Sequence, residues 1–280
     1  MRIKNLRQYG INTEKRTYII AEIGINHGGN LDAAKRLIES ASNTKVDAVK
    51  FQTYLTEKRA PKGNQEIFDI LKKCELPFES FLELKECALS NGVEFFSTPF
   101  DTESVDYLQS IDVDLYKVAS FDVVNLEFLR DLAKTGKPVL MSVGMANRKE
   151  IDRAYKVLKK GTDKIALLHC VSSYPLNEKY ANLSAIYQLY DSYDCIIGYS
   201  DHTPDIYTSL MAAAAGAQII EKHYRVDERM DCIDAPVSIT EKQTKKLVEE
   251  IRTLEEVFGE GELCMSEPEK GASIFRRSTS

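Results

Sequence analysis

Four histidines occur in the 280-residue sequence, His27, His169, His202 and His223, and each stands at or just beyond the end of a short apolar run. Imidazole nitrogen suits Mn, Fe, Co and Zn and leaves coordination positions open for water or substrate, so His202 and His223, which follow neighbouring runs, can share one divalent metal. A lone histidine such as His169 can equally do no more than satisfy backbone groups. Lys50 and Lys117 sit inside apolar runs, where a cation is costly unless an anion compensates it. A phosphate ringed by the hydroxyls of Thr98, Ser120, Ser142 and Ser200 would do so, the lysines supplying charge and the hydroxyls direction. A salt bridge to an acid on a neighbouring strand, or a Schiff-base lysine, fits the spacing as well. Glu22 ends the run Tyr18-Ile19-Ile20-Ala21 and can move a proton, orient a sugar hydroxyl or pair with Lys50.

These residues need a frame that brings separate strand ends together. Short β-rich apolar runs alternate with amphipathic stretches, the pattern of a parallel sheet with crossover helices. The runs are Tyr18 to Ile23, Ala48 to Gln52, Glu94 to Ser97, Leu115 to Val118, Pro138 to Ser142, Ile165 to His169, Cys195 to Tyr199 and Gln218 to His223. Helices are expected over Leu31 to Ser42, Phe78 to Asn91, Ser104 to Ile111, Leu126 to Thr135, Lys149 to Lys159, Ile206 to Ala215 and Thr240 to Phe258, with Gly92, Gly136 and Gly216 at stops. Eight units, with no Gly-x-Gly-x-x-Gly turn after the first strand, predict an α/β fold of the (β/α)₈ TIM-barrel type spanning residues 18–258. Residues 1–17, with a turn at Tyr9-Gly10, read as a short N-terminal hairpin capping the barrel bottom, and residues 259–280 as a linker or tail. In such a barrel the chemistry sits at the C-terminal strand ends, where all of these polar residues fall.

Composition narrows the partners. Lys plus Arg total 37 against 43 Asp plus Glu, a net charge of -6, which provides no basic footprint for nucleic acid. No stretch approaches a membrane span or a signal peptide, and the six scattered cysteines form no CxxC pair, so reduced thiols and a cytoplasmic location are expected.

The stretches AEIGINHGGN (Ala21 to Asn30), DAVKFQTY (Asp47 to Tyr54), FFSTPF (Phe95 to Phe100), YKVAS (Tyr116 to Ser120), LLHCVSSYP (Leu167 to Pro175), IGYSDHT (Ile197 to Thr203) and IEKHY (Ile220 to Tyr224) together resemble the sialic acid synthase family. The resemblance runs in order from about Tyr18 to the end of the chain. It implies a (β/α)₈ barrel that joins phosphoenolpyruvate to an amino-sugar aldehyde, N-acetylmannosamine or a relative, releasing phosphate, with a divalent metal (Mn²⁺, otherwise Mg²⁺ or Co²⁺), as a homodimer. It further implies His202 and His223 as metal ligands, and Lys50, Thr98, Lys117, Ser120, Ser142, Ser172 and Ser200 around phosphoenolpyruvate. Glu22, Gln52, Tyr174 and Asp234 would lie near the sugar or metal, Asn64 at the sugar, and Glu22, Lys117 and Asp122 in catalysis.

Two departures from the family stand out. Asp122 occupies a position usually held by glutamate, which shortens its reach by about 1.5 Å, a C–C bond length. Family members usually continue past the RRS motif, here Arg276 to Ser278, into an antifreeze-like domain that covers the sugar, whereas this sequence ends at Ser280: either the barrel lacks that cover, or the sequence is part of a longer chain, or another polypeptide supplies the cover. The competing readings are a Schiff-base aldolase using Lys117 and a non-catalytic barrel that binds phosphoenolpyruvate or sugar within a complex.

Overall fold

The computed structural model describes residues 16–259 and 263–277. Eight parallel strands close into a barrel in sequence order: β1 (Tyr18–Gly24), β2 (Ala48–Thr53), β3 (Glu94–Pro99), β4 (Tyr116–Val118), β5 (Val139–Ser142), β6 (Ile165–Cys170), β7 (Ile196–Asp201) and β8 (Ile219–His223). Each coincides with an expected run to within one or two residues. Strand β1 pairs with β8 as well as β2, which completes the ring. Nearly every strand residue is buried, because one face meets the barrel interior and the other the helix layer.

The outer layer comprises α1 (Leu31–Ser42), α2 (Thr56–Arg59), α3 (Gln65–Cys74), α4 (Ser80–Ser90), α5 (Thr102–Ser110), α6 (Leu126–Lys134), α7 (Arg148–Leu158), α8 (Ala185–Ser192), α9 (Tyr207–Ala214) and α10 (Glu241–Phe258). Helix α1 shows how the sequence builds one unit. The Asn30 side chain accepts from the Ala33 N–H at 2.8 Å, a cap that contributes about 1 kcal/mol. Ala34, Leu37, Ile38 and Ala41 then recur at helical spacing and bury against the barrel. Removing the leucine side chain from such a site, as in Leu37→Ala, typically costs about 2–5 kcal/mol. Asp101, Asn125, Asn147 and Thr240 cap α5, α6, α7 and α10 in the same way. At two of the expected stops, Gly92 (φ 74°) and Gly216 (φ 98°), the chain turns through the left-handed region that glycine adopts without steric cost.

Three helices were not expected from periodicity. Helices α2 and α3 divide the long connection after β2, and α8 is too short to show more than Ile186 and Leu189 on its buried face. The hairpin expected over residues 1–17 lies outside the described residues except for its last two. Of these, Thr17 is held by Arg252, which donates to its carbonyl at 2.9 Å. Residues Glu267–Phe275 form a 3₁₀ helix with no buried residue. Among the described residues no helix is long and apolar enough to cross a membrane.

Candidate active site

The two-residue period of a strand decides which strand-end side chains face inward. The barrel interior is filled by Tyr18, Ile20, Ala48, Phe96, Leu115, Leu140, Ala166, Leu168, Ile196 and Ile219. One step of two residues toward the C-terminal end gives Glu22 on β1, Lys50 on β2, Thr98 on β3, Lys117 on β4, Ser142 on β5, Cys170 on β6 and Glu221 on β8; two steps along β7 give Ser200. All eight line one cavity of about 240 Å³ at the C-terminal mouth, and a further step adds Gln52, His202 and His223. Register brings them side by side, with Glu22 opposite both Lys50 and His223, and Ser200 opposite Glu221.

At the floor, two lysines and two glutamates alternate. Lys50 Nζ lies 2.7 Å from Glu22 Oε2 and 3.7 Å from Glu221, and Lys117 Nζ lies 3.5 Å from Glu221. Of the alternatives that the spacing left open for Lys50, the structure thus displays the salt bridge to the neighbouring strand's acid. Hydroxyls take up further donors: Lys50 donates to Thr98 Oγ1 at 3.1 Å, and Lys117 to Ser142 Oγ at 2.7 Å. Glu221 accepts from Ser200 Oγ at 2.9 Å, and Glu22 from Gln52 Nε2 at 2.9 Å. Ser120 Oγ accepts from the Gly144 N–H at 3.0 Å.

The balance of burial and charge differs between the two ammonium groups. Burial lowers the pKa of Lys50, yet Glu22 and Glu221 more than offset it and hold it above the ordinary lysine value. Lys117 has burial and the nearby Lys50 charge against it and only Glu221 close by, so its pKa falls below the ordinary value. Burial pushes the Glu221 carboxyl up, but Lys117, Lys50 and the Ser200 hydroxyl prevail and keep it well below the usual carboxylate range. The site therefore holds a compact, nearly neutral quartet of fixed charges.

Two imidazoles face each other at the mouth, with ring centroids 5.6 Å apart. His202 Nδ1 donates to the Val171 carbonyl at 2.8 Å, which leaves Nε2 free, and the Tyr174 ring lies 4.0 Å from the His202 ring. His223 Nδ1 stands 3.3 Å from Asp234 Oδ2. Burial lowers the His223 pKa, but Asp234 outweighs it and raises it above the ordinary value, and His223 in return holds Asp234 low against its own burial. Among the described residues no cluster of three His, Cys, Asp or Glu donors surrounds a point between the rings. Two protein nitrogens with open positions suit a first-row divalent ion that keeps water or substrate ligands, and do not suit a closed structural zinc site.

Other expected site residues are placed differently. Asn64 does not reach the cavity; its side chain is the N-cap of α3, accepting from the Ile67 N–H at 3.1 Å on an exposed surface. Its side chain is thus taken up by the helix start and is not brought together with the cavity residues. Ser172 is not part of the lining but lies beside it, its Oγ 4.0 Å from Cys170 Sγ. Asp122 also stands outside the lining, in a 3₁₀ turn (Ser120–Asp122) whose Phe121 faces the cavity. Its Oδ2 is buried without a hydrogen-bond partner, and burial raises its carboxyl to about 6. His169 points to the helix side, where Nε2 meets the Ala181 carbonyl at 2.8 Å, and His27 packs on Phe51. Sequence reasoning assigned no role to Glu221, although strand parity marks it, nor to Arg59, Phe100, Phe121 and Cys170, which also line the cavity.

Fold and site together define a (β/α)₈ barrel with a charged, hydroxyl-rich cavity where enzymes of this architecture carry out their chemistry. The profile of the NeuB family matches residues 37–263, and the chain belongs to that family. It is 38% identical to the N,N'-diacetyllegionaminic acid synthase of Campylobacter jejuni, over 94% of this chain and 84% of that protein. The N-acetylneuraminate-9-phosphate synthase of Mus musculus is 31% identical, over 86% and 71% respectively. The crystal structure of N-acetylneuraminic acid (sialic acid) synthetase from Leptospira borgpetersenii in complex with citrate superposes with a TM-score of 0.89 at 42% identity, covering 93% of this chain and 91% of that one.

Proposed function

We propose that the chain is a nonulosonic acid synthase that condenses phosphoenolpyruvate with an N-acetylated hexose, releasing phosphate. The observation that carries this reading is the quartet Lys50, Lys117, Glu22 and Glu221, ringed by Thr98, Ser120, Ser142 and Ser200 at the closed end of the cavity. Each ammonium directs two of its three N–H groups to hydrogen-bond partners within 3.2 Å, Lys50 to Glu22 and Thr98, Lys117 to Ser142 and the Val118 carbonyl. The remaining donors and the serine hydroxyls would hold the phosphate and carboxylate of phosphoenolpyruvate. Because Glu22 and Glu221 already neutralise the lysines, an incoming polyanion must share those cations, which favours release of the phosphate once it is free.

In the reaction, C3 of phosphoenolpyruvate attacks the acceptor's aldehyde carbon. Positive charge develops at C2, water adds there, and C–O cleavage of the resulting phosphate hemiketal frees inorganic phosphate. Glu22, which adjoins both Lys50 and His223, would take the proton of that water or give one to the new hydroxyl. Lys50 and Lys117 would bind phosphate before and during the reaction, so their loss should appear largely in substrate binding. His202 and His223 would hold a divalent metal, which supplies Lewis-acid polarisation of the acceptor's aldehyde oxygen when bound. Asp122, with its carboxyl raised toward neutrality by burial, could share the proton transfer.

Steady-state phosphate release with phosphoenolpyruvate, Mn²⁺ and a panel of N-acetylated hexoses tests the proposal. Turnover with at least one acceptor is expected, and its absence with all of them would favour a binding barrel. The lowered pKa of Lys117 supports one competing chemistry, a Schiff base. Borohydride trapping with pyruvate separates it: a stable adduct at Lys117 would overturn the synthase reading.

A further inference from the structure

Arg59 closes α2 at the edge of the cavity, on the connection that follows β2. Its guanidinium carbon lies 4.3 Å from the Tyr54 ring centroid and 4.1 Å from that of Phe100. These two rings fix the plane of the fork, so its N–H groups point in set directions. Its Nη1 is buried and has no hydrogen-bond partner, and among the described residues Arg59 forms no ion pair. A buried donor of a permanently charged group is costly when left unpaired. Nη1 itself is covered, but Arg59 is only part-buried and lines the cavity, so a ligand atom that meets the guanidinium there can relieve that cost.

The surroundings restrict what the ligand atom can be. Burial lowers the Arg59 pKa, and Tyr54, Asp234, Glu22 and Asp122 oppose it electrostatically without pairing with the guanidinium, so three carboxylates already face its charge from a distance. A substituent with its own negative charge would gain the guanidinium but meet three carboxylates. A neutral oxygen acceptor gains the hydrogen bond without that repulsion. The same wall is aromatic: Phe100 and Phe121, ring centroids 6.0 Å apart, both line the cavity, and Phe121 is half exposed there. A strong donor beside an apolar face suits a group that carries a carbonyl oxygen and a methyl together.

We propose that Arg59 selects the acceptor, donating from its guanidinium to the carbonyl oxygen of an acylamino substituent whose methyl end packs on Phe100 and Phe121. The proposal rests on the synthase reading above and adds to it the residue that distinguishes an N-acylated hexose from a plain one. Arg59 is thus a specificity-determining residue on the acceptor side, remote in role from the phosphate floor.

The test is phosphate release by wild type, Arg59→Leu and Arg59→Lys with N-acetylmannosamine, mannose and N-acetylmannosamine 6-phosphate, each at saturating phosphoenolpyruvate. Wild type is expected to prefer N-acetylmannosamine to mannose, and Arg59→Leu to lower that kcat/KM ratio about 10- to 100-fold, the loss expected for one hydrogen bond to a charged group. The KM for phosphoenolpyruvate should stay within about twofold, since the phosphate floor is untouched. Arg59→Lys, which keeps a cation on the rings but loses the fork, should fall between the two; if the leucine variant does not fold, an unchanged ratio in the lysine variant overturns the proposal. A ratio unaffected by either variant overturns it, as does a selective loss of the 6-phosphate acceptor, which would make Arg59 an anion site. If wild type releases phosphate with none of the three nor with any other N-acetylated hexose of the panel above, the synthase reading fails and the proposal with it; if wild type turns over normally and only the ratio is insensitive, the proposal fails alone.

Discussion

Replacing Lys50 with methionine separates two roles that the structure superimposes on one ammonium. Lys50 bonds Glu22 at 2.7 Å and stands 3.7 Å from Glu221, and all three are almost fully buried. Removing one partner of a buried ion pair strands the other, typically at about 3–5 kcal/mol. That is a large share of the roughly 5–15 kcal/mol by which such a protein is stable. The second substitution, Glu22→Gln, removes the stranded charge while keeping an oxygen to accept from Gln52 Nε2, now 2.9 Å from Glu22 Oε1. Lys50→Met with Glu22→Gln is therefore expected to regain about 2 kcal/mol or more over Lys50→Met alone in urea denaturation. Calorimetric titration of phosphoenolpyruvate reports the other role: both variants should bind it about 30-fold or more weakly, because neither restores the cation. Recovery of phosphoenolpyruvate affinity along with stability would refute the phosphate role and leave Lys50 a purely structural partner of Glu22. Absence of any stability recovery would refute the view that the ion pair, not packing, dominates the cost.

Other positions yield independent checks. His202→Ala and His223→Ala should each abolish Mn²⁺ binding measured by calorimetry, with the thermal melt nearly unchanged for His202→Ala and lowered for His223→Ala, which strands Asp234; one equivalent of bound metal in both variants would place any metal elsewhere. Gly144→Ala would put a Cβ 2.6 Å from Ser172 Oγ, 2.9 Å from Ser120 Oγ and 3.1 Å from the Cys170 carbonyl, so it should displace both hydroxyls, raise the KM for phosphoenolpyruvate several-fold and cost about 1–3 kcal/mol; an unchanged KM would exclude these serines from the phosphate site. Burial lowers the pKa of His27 to about 4, so its unfolded form takes a proton near 6.5 first. The stability it contributes is present above about 6.5 and lost as pH falls through 4, about 3 kcal/mol in all, and His27→Gln should flatten the stability profile in that window; equal slopes for both proteins would show that His27 charges freely in the fold.

The barrel was legible because its two periods are written plainly: eight apolar runs, seven of them followed by a helical stripe, several of these opened by a cap such as Asn30, Asn147 or Thr240. The site was legible wherever a chemical group sits on a strand, and less so on loops. Asn64 illustrates the loop problem, since an asparagine three residues before Ile67 is an N-cap signal as much as a ligand, and only the helix that follows decides. Arg59 carries no period at all; its place depends on how α2 and α3 fold the β2 connection back over Phe100. Glu221 was overlooked among the polar residues at the end of β8, yet counting two residues from Ile219 assigns it to the interior with Lys50 and Lys117.

The opposite parity explains why the strand ends carry more charge than the cavity uses. Asp201 and Lys222 alternate with Ser200, His202, Glu221 and His223, so they face the helix layer, where Lys222 Nζ lies 3.1 Å from Asp201 Oδ2. Asp201 also accepts from Ser209 Oγ of α9 at 2.6 Å and from the Thr203 N–H at 2.8 Å, and Lys222 bonds the Thr203 carbonyl. A buried pair of this kind stabilises little in itself, since desolvation offsets most of the attraction. What it does is tie the end of β7 to the end of β8 from behind, directly next to the two residues whose imidazoles meet at the mouth. A site formed by one or two residues from each of eight strands needs its strand ends held in register, and here the charges that face away from the cavity tie two of those ends together.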